Sequence, residues 1–164
     1  MTAPPPAAAA PGARTRPGRS AAVCALLGAA VMAAVDEIVF HQILGWHHFY
    51  DRATPAVGLL SDGLLHTAEL LALVAGATLL ADLVRQRALD AAHAWAGGLL
   101  GAGGFQLFDG VVDHKLLRTH QIRYGVDLLP YDSAWIGGAL LLLVLGALLW
   151  RRARRRPAHP TGRG

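Results

Sequence analysis

The stretch Val35–His48, VDEIVFHQILGWHH, sets two adjacent carboxylates, Asp36 and Glu37, ahead of three imidazoles, His41, His47 and His48. A second stretch, FDGVVDHKLLRTHQ from Phe108, returns the pattern 73 residues later: Asp36 falls on Asp109, His41 on His114, Leu44 on Leu117 and His47 on His120. A third, SDGLLHTAEL, puts Asp62, His66 and Glu69 at i, i+4 and i+7, one face of an α-helix. Imidazoles among carboxylates suit copper, zinc or iron, and an acid hydrogen-bonded behind a ligating histidine is the usual support. The candidate metal residues are therefore His41, His66, His114, His47, His120, Asp36, Glu37, Glu69, Asp109 and Asp113. His41, His66 and His114 are the expected ligands, with Asp36, Glu69 and Asp109 supporting or ligating. On α-helical geometry, Glu37, His41 and His48 share one stripe, and Asp109, Asp113 and His120 share another.

The elements that must carry these groups belong in a membrane. Hydrophobic residues make up 54% of the 164 positions, above the level of a soluble domain. Four apolar stretches stand out, Ala21–Val35, Leu64–Leu83, Ala94–Phe108 and Ala134–Trp150. A span needs ~20 residues, which the first and third reach only if helix continues through their acids to Leu44 and Leu117. The expected fold is all-α: a polytopic membrane protein of four transmembrane helices built as two repeated helix pairs. The units run from about 21 to 84 and from about 94 to 150, between a disordered Pro/Ala/Arg-rich tail (1–20) and a basic tail (151–164). Ala21–Val35 has the flank and core of a signal peptide, but no Ala-x-Ala follows, and the repeat argues against cleavage.

Arginines cluster before the first span, at Arg85 and Arg87, and from Arg151 onward, so both termini are expected in the cytoplasm. The arginine-rich end reads as a topology and headgroup anchor, with no nucleic acid expected. At ~1.5 Å per residue the acids then lie inside the outer hydrocarbon boundary, with His47 and His48 just beyond it. His93 and His159 fall on the cytoplasmic side and look incidental. The single Cys24 excludes an intrachain disulfide and a cysteine metal cluster. Trp46, Trp95, Trp135 and Trp150 sit near helix ends, as an interfacial belt would. Gly97, Gly98 and Gly101–Gly104 suit close packing of the third span and lack a dinucleotide-binding context.

An ionised Asp at the centre of a membrane helix costs about 2.5–3.5 kcal/mol, so clustered acids call for shared compensation. A metal is one answer. A closed hydrogen-bond network, in which the acids accept from imidazoles, Lys115 and Arg118, is another. Haem b between His41 and His114 ranks behind copper or zinc because Asp36, Asp109 and Asp113 would make its pocket acidic. A proton relay through the same acids is a further alternative. The helical di-iron pattern Glu-x-x-His is missing; His66–Glu69 has it reversed.

DEIVFHQILGWHH, SDGLLH and FDGVVDHKLLRTH together resemble an uncharacterised bacterial family of small predicted membrane proteins, classed as a domain of unknown function. The resemblance spans Ala21 to Trp150, and in its third motif this chain has Asp113-His114-Lys115 where the family's form is Asp-His-His. It implies a four-helix inner-membrane protein associated with copper-delivering cytochrome oxidase assembly proteins. The expected function is metal binding, copper or zinc, without catalysis, in respiratory oxidase assembly, with an assembly protein or a second copy as partner besides the lipid bilayer. A metal- or haem-dependent membrane oxidoreductase and a structural subunit with a packing cluster are the alternatives.

Overall fold

The computed structural model describes residues 14–155; the expectations for the first 13 residues, for Arg156 onward and for His159 lie outside them. All regular structure among the described residues is helical: α1 (Pro17–Val35), α2 (Pro55–Arg85), α3 (Ala91–Phe108) and α4 (Leu129–Arg154). Proline opens α1, α2 and α4, where its missing N–H is no loss. Helix begins at Pro17, within the tail expected to be irregular up to residue 20. The turn is held because fully buried Ser20 accepts the backbone N–H of Asp90 through its hydroxyl, at 2.9 Å.

Neither α1 nor α3 stops at its acid. At Asp36 the hydrogen bonds change from i→i+4 to i→i+5, and this π-helix runs eight residues to Ile43. The change recurs at Asp109 and runs nine residues to Leu117. The helices reach about as far as the sequence requires, but in a wider form. Most π-helices are single-turn bulges, so two longer ones at positions 73 apart demand a common cause. A left-handed residue follows each, Arg118 at φ 52° directly after the second and Gly45 at φ 57° two residues past the first, again 73 apart.

The helices pack in the order α2–α1–α3–α4; α2 and α4 do not pack against each other. The central pair meets backbone to backbone. A methyl group on Gly101 would overlap the Ala25 carbonyl, and one on Gly97 would overlap the carbonyl of Ala21. This is small-residue packing at four-residue spacing, as in membrane helix pairs. Gly103 turns the opposite way, toward Ala139 and Leu142 of α4, while Gly104 meets nothing.

Polarity is inverted relative to a water-soluble bundle. The buried apolar side chains are mostly alanines, whereas Asp36, Glu37, His41, Asp62, Glu69, Asp109, Asp113, His114 and His120 are all buried. Leu59, Leu60, Leu64, Leu71, Val74, Leu141 and Val144 face outward. α2, α4, and α1 with its π extension are each long and apolar enough to cross a bilayer. Glycines, His93 and Gln106 lower the hydropathy of α3, which lies between α1 and α4. At the bundle end opposite the π segments, Arg16 donates to the Ala88 carbonyl at 2.8 Å and His93 packs edge-on against Trp150.

Two predictions follow from the local geometry. A left-handed residue other than glycine costs about 1–2 kcal/mol, so Arg118→Gly should raise stability in detergent by about 1 kcal/mol, and Gly45→Ala should lower it. Chemical denaturation of the two variants reads both. At the start of α3, the Asp90 side chain accepts the His93 N–H at 3.0 Å. Burial works to raise the Asp90 pKa, but its bonds from His93 outweigh burial and hold it below the ordinary value. Its contribution is thus present above the unfolded pKa of about 4 and is lost as pH falls through the folded one. Asp90→Ala should cost about 1 kcal/mol at neutral pH and flatten the stability profile on the acid side.

Candidate metal centre

The π-helical geometry decides which acids reach which imidazoles. Residues five apart lie about 140° round an α-helix from each other, but an i→i+5 helix stacks them. Asp36 Oδ2 accordingly stands 3.6 Å from His41 Nε2, and Asp109 Oδ2 stands 3.3 Å from His114 Nε2. Gln42 donates to Glu37 at 2.8 Å across the same spacing. Glu37 Oε2 also lies 2.8 Å from His41 Nδ1, so both adjacent acids face one ring.

The loops after the π segments bring in two further imidazoles. His47 and His120 stack face to face, 4.6 Å between centroids and 7° from parallel. His41 meets His47 edge-on at 4.4 Å, and His114 meets His120 edge-on at 4.6 Å. The pair is held by an exchange between the halves. His47 Nδ1–H donates to the Ile122 carbonyl and His120 Nδ1–H to the Phe49 carbonyl, each at 2.9 Å. Positions 47 and 120, like 49 and 122, are 73 apart, so the two bonds are equivalents.

These bonds leave the other nitrogen of each ring without a hydrogen bond, although Asp109 Oδ1 lies 3.4 Å from His120 Nε2. His41 Nε2, His47 Nε2, His114 Nε2 and His120 Nε2 are all buried without a hydrogen-bond partner. His41, His47 and His120 each offer one donor atom within 4.8 Å of the others', and Asp109, His114 and His120 form a second such group. Burial, then the neighbouring His120, His41 and His114, push the His47 pKa down to about 2, so this loop imidazole is neutral and its lone pair available. Glu37, His41 and Asp62 form a third group.

Around this symmetric centre the two halves differ. On one side Asp62 of α2 is fully buried, its Oδ1 3.2 Å from His41 Nδ1 and its Oδ2 2.6 Å from His48 Nδ1. It also accepts the Phe49 N–H at 2.7 Å. The position 73 residues later is Trp135 of α4, whose Nε1–H donates to Asp109 Oδ2 at 3.0 Å. Carboxylate and indole thus do corresponding jobs, one accepting from a histidine and the other donating to an acid.

Among the residues expected from sequence, Asp36, His41, His47, Asp109, His114 and His120 meet in one cluster, with Glu37 behind His41. His66 does not join it: its ring is 54% exposed on α2, with Nδ1 2.6 Å from Glu69 Oε1. Asp113 is buried on the second π segment, where its backbone carbonyl accepts the Thr119 N–H at 3.0 Å. The single stripe drawn through Glu37, His41 and His48 assumed α-helix; the π geometry replaces it, and Asp62 joins His41 to His48. Trp135 is buried and bonded to Asp109 rather than part of a surface belt. Lys115 pairs with Asp132 at 2.5 Å, on the α4 side. The hub role of Asp62 was readable only as a place on the His66 helical face; the i, i+5 spacing of Asp36–His41 and Asp109–His114 is the signal for the π turns.

Residues 23–153 match the model of a family described as "Predicted membrane protein (DUF2243)". No curated protein and no solved structure matches the chain.

Trp135→Phe removes the indole donor from a buried carboxylate. It should cost about 2–3 kcal/mol, read by denaturation in detergent, since bonds to charged groups contribute about 1.5–3 kcal/mol. Trp95→Phe, at a ring 73% exposed on the surface, is the control and should change little.

Proposed function

The chain belongs to that family of predicted membrane proteins, and we propose that it holds a transition metal, copper or zinc, in its histidine cluster. The observation that carries this reading is the convergence of four buried Nε2 atoms, none of them hydrogen-bonded, on one cluster with the carboxylates of Asp36 and Asp109. A network built only for packing would satisfy them, because a buried polar atom left without a partner costs about 1–3 kcal/mol. Three of the four Nδ1 atoms are tied as supporting groups tie metal-ligating histidines, those of His47 and His120 to backbone carbonyls and that of His41 to a carboxylate; His114 Nδ1 makes no hydrogen bond. In this reading His41, His47 and His120 ligate, Asp109 and His114 complete a second ligand set through His120, and Asp36 and Glu37 support His41. Imidazole and carboxylate without thiolate fit cupric copper or zinc.

The same reading makes α3 a fourth span and the two helix pairs a duplication, since the π segments, the left-handed residues after them and the loop hydrogen bonds recur at one offset. Arg14, Arg16, Arg19, Arg85, Arg87 and Arg151 crowd the end away from the cluster, which makes that end cytoplasmic in a bacterial inner membrane. His41, His114 and His120 are only 3%, 1% and 1% exposed, so an ion there is enclosed, which favours binding and handling over turnover. Handling copper for respiratory oxidase assembly is the role the family resemblance adds. The stacked rings of His47 and His120 fill the space that a haem between His41 and His114 would need.

Elemental analysis and visible absorption of untagged protein in detergent test the centre. Near-stoichiometric copper or zinc is expected, and it should be lost in the His41→Ala/His114→Ala double variant with helicity retained. Wild-type protein that stays metal-free after reconstitution with both ions would sink the reading.

A further inference from the structure

One side of the centre carries more chemistry than its symmetry requires. Between the first π segment and α2 lies a cavity of about 300 Å3 lined by Glu37, Gln42, Leu59, Gly63 and His66. Its imidazole is half-exposed among outward-facing leucines, with the carboxylate of Glu69, itself only 2% exposed, 2.6 Å behind its Nδ1. That contact leaves Nε2 as the donor His66 can offer to a cation. Glu37, in the same lining, stands between the cavity and His41. Glu69 Oε2 is buried and accepts no hydrogen bond, whereas Glu37 Oε2 has His41 Nδ1 2.8 Å away.

The corresponding positions in the other half are Gly110, Ala139 and Leu142, none of which can bind a cation through its side chain. Glu37, His66 and Glu69 are therefore surplus to the symmetric cluster, and they occur on one flank only. Packing gives no reason for an exposed imidazole on a helix face otherwise given to leucine, nor for the buried Glu69 oxygen that accepts no hydrogen bond.

We propose that this cavity is the loading mouth of the metal centre: His66, backed by Glu69, captures a transition-metal cation, and Glu37 passes it toward His41. The proposal rests on the metal-binding reading above. Transfer is ligand exchange throughout, with no change of oxidation state. Carboxylates gathered at a low-dielectric mouth raise the local cation concentration and hence the rate of entry, without setting the final occupancy.

The test is the rate of metal uptake by the full chain in phospholipid vesicles, mixed with zinc and, separately, with cupric ion. His66→Ala and Glu69→Gln should each slow uptake about tenfold or more, within the range of electrostatic on-rate effects, and leave the final metal content per chain unchanged. His66→Cys, which restores a donor, should recover most of the rate with zinc, which does not oxidise the thiol. Uptake at the wild-type rate in both His66→Ala and Glu69→Gln would overturn the mouth while leaving the centre standing. Loss of final metal content in His66→Ala would overturn it too, by making His66 a ligand of the stored ion. A wild-type chain that takes up neither ion would overturn the centre and the mouth together.

Discussion

The contact between α1 and α3 is the constraint on which everything else depends. Gly97 and Gly101 bring the backbone of α3 against the Ala21 and Ala25 carbonyls of α1, closer than two helices bearing larger side chains can come. Only at that separation do the π segments that extend α1 and α3 lie near enough for His41, His47, His114 and His120 to touch. α2 and α4 are flanking elements. Each contributes one polar side chain to the centre, Asp62 and Trp135, and turns its leucines outward.

The π turns solve a problem of direction. A carboxylate and an imidazole five residues apart diverge on an α-helix, and both would then need partners from elsewhere in an apolar surrounding. Widening the helix turns Asp36 and His41, and Asp109 and His114, toward each other without adding a residue. The strain of the wider turn is local, and π geometry frequently marks functional sites. Arg118 carries a comparable strain in its left-handed backbone, at the position where the first half uses Gly45.

Much of this was legible in the chain. The shared motif paired Asp36 with Asp109, His41 with His114 and His47 with His120, and those pairs do occupy equivalent places in one cluster. Apolar stretches marked the helices, and the acids marked where the first and third had to continue. What could not be read was helical pitch. An α-helical wheel separates Asp36 from His41 and favours an Asp62–His66–Glu69 face, and so it promoted His66 and overlooked the bonds from Asp62 to His41 and His48. Trp135 misled for a related reason: a tryptophan one turn inside a membrane helix has the same sequence signature whether it faces headgroups or a buried acid.

The exchanged hydrogen bonds of the two loops also bear on how the protein is made. His47 finds its acceptor 75 residues further on, at Ile122, and His120 reaches back 71 residues to Phe49. Until residue 122 has left the ribosome and α3 lies against α1, His47 has no carbonyl acceptor and no ring to stack on. The cluster of His41, His47, His114 and His120 is thus completed late, and no half-length product can assemble it alone.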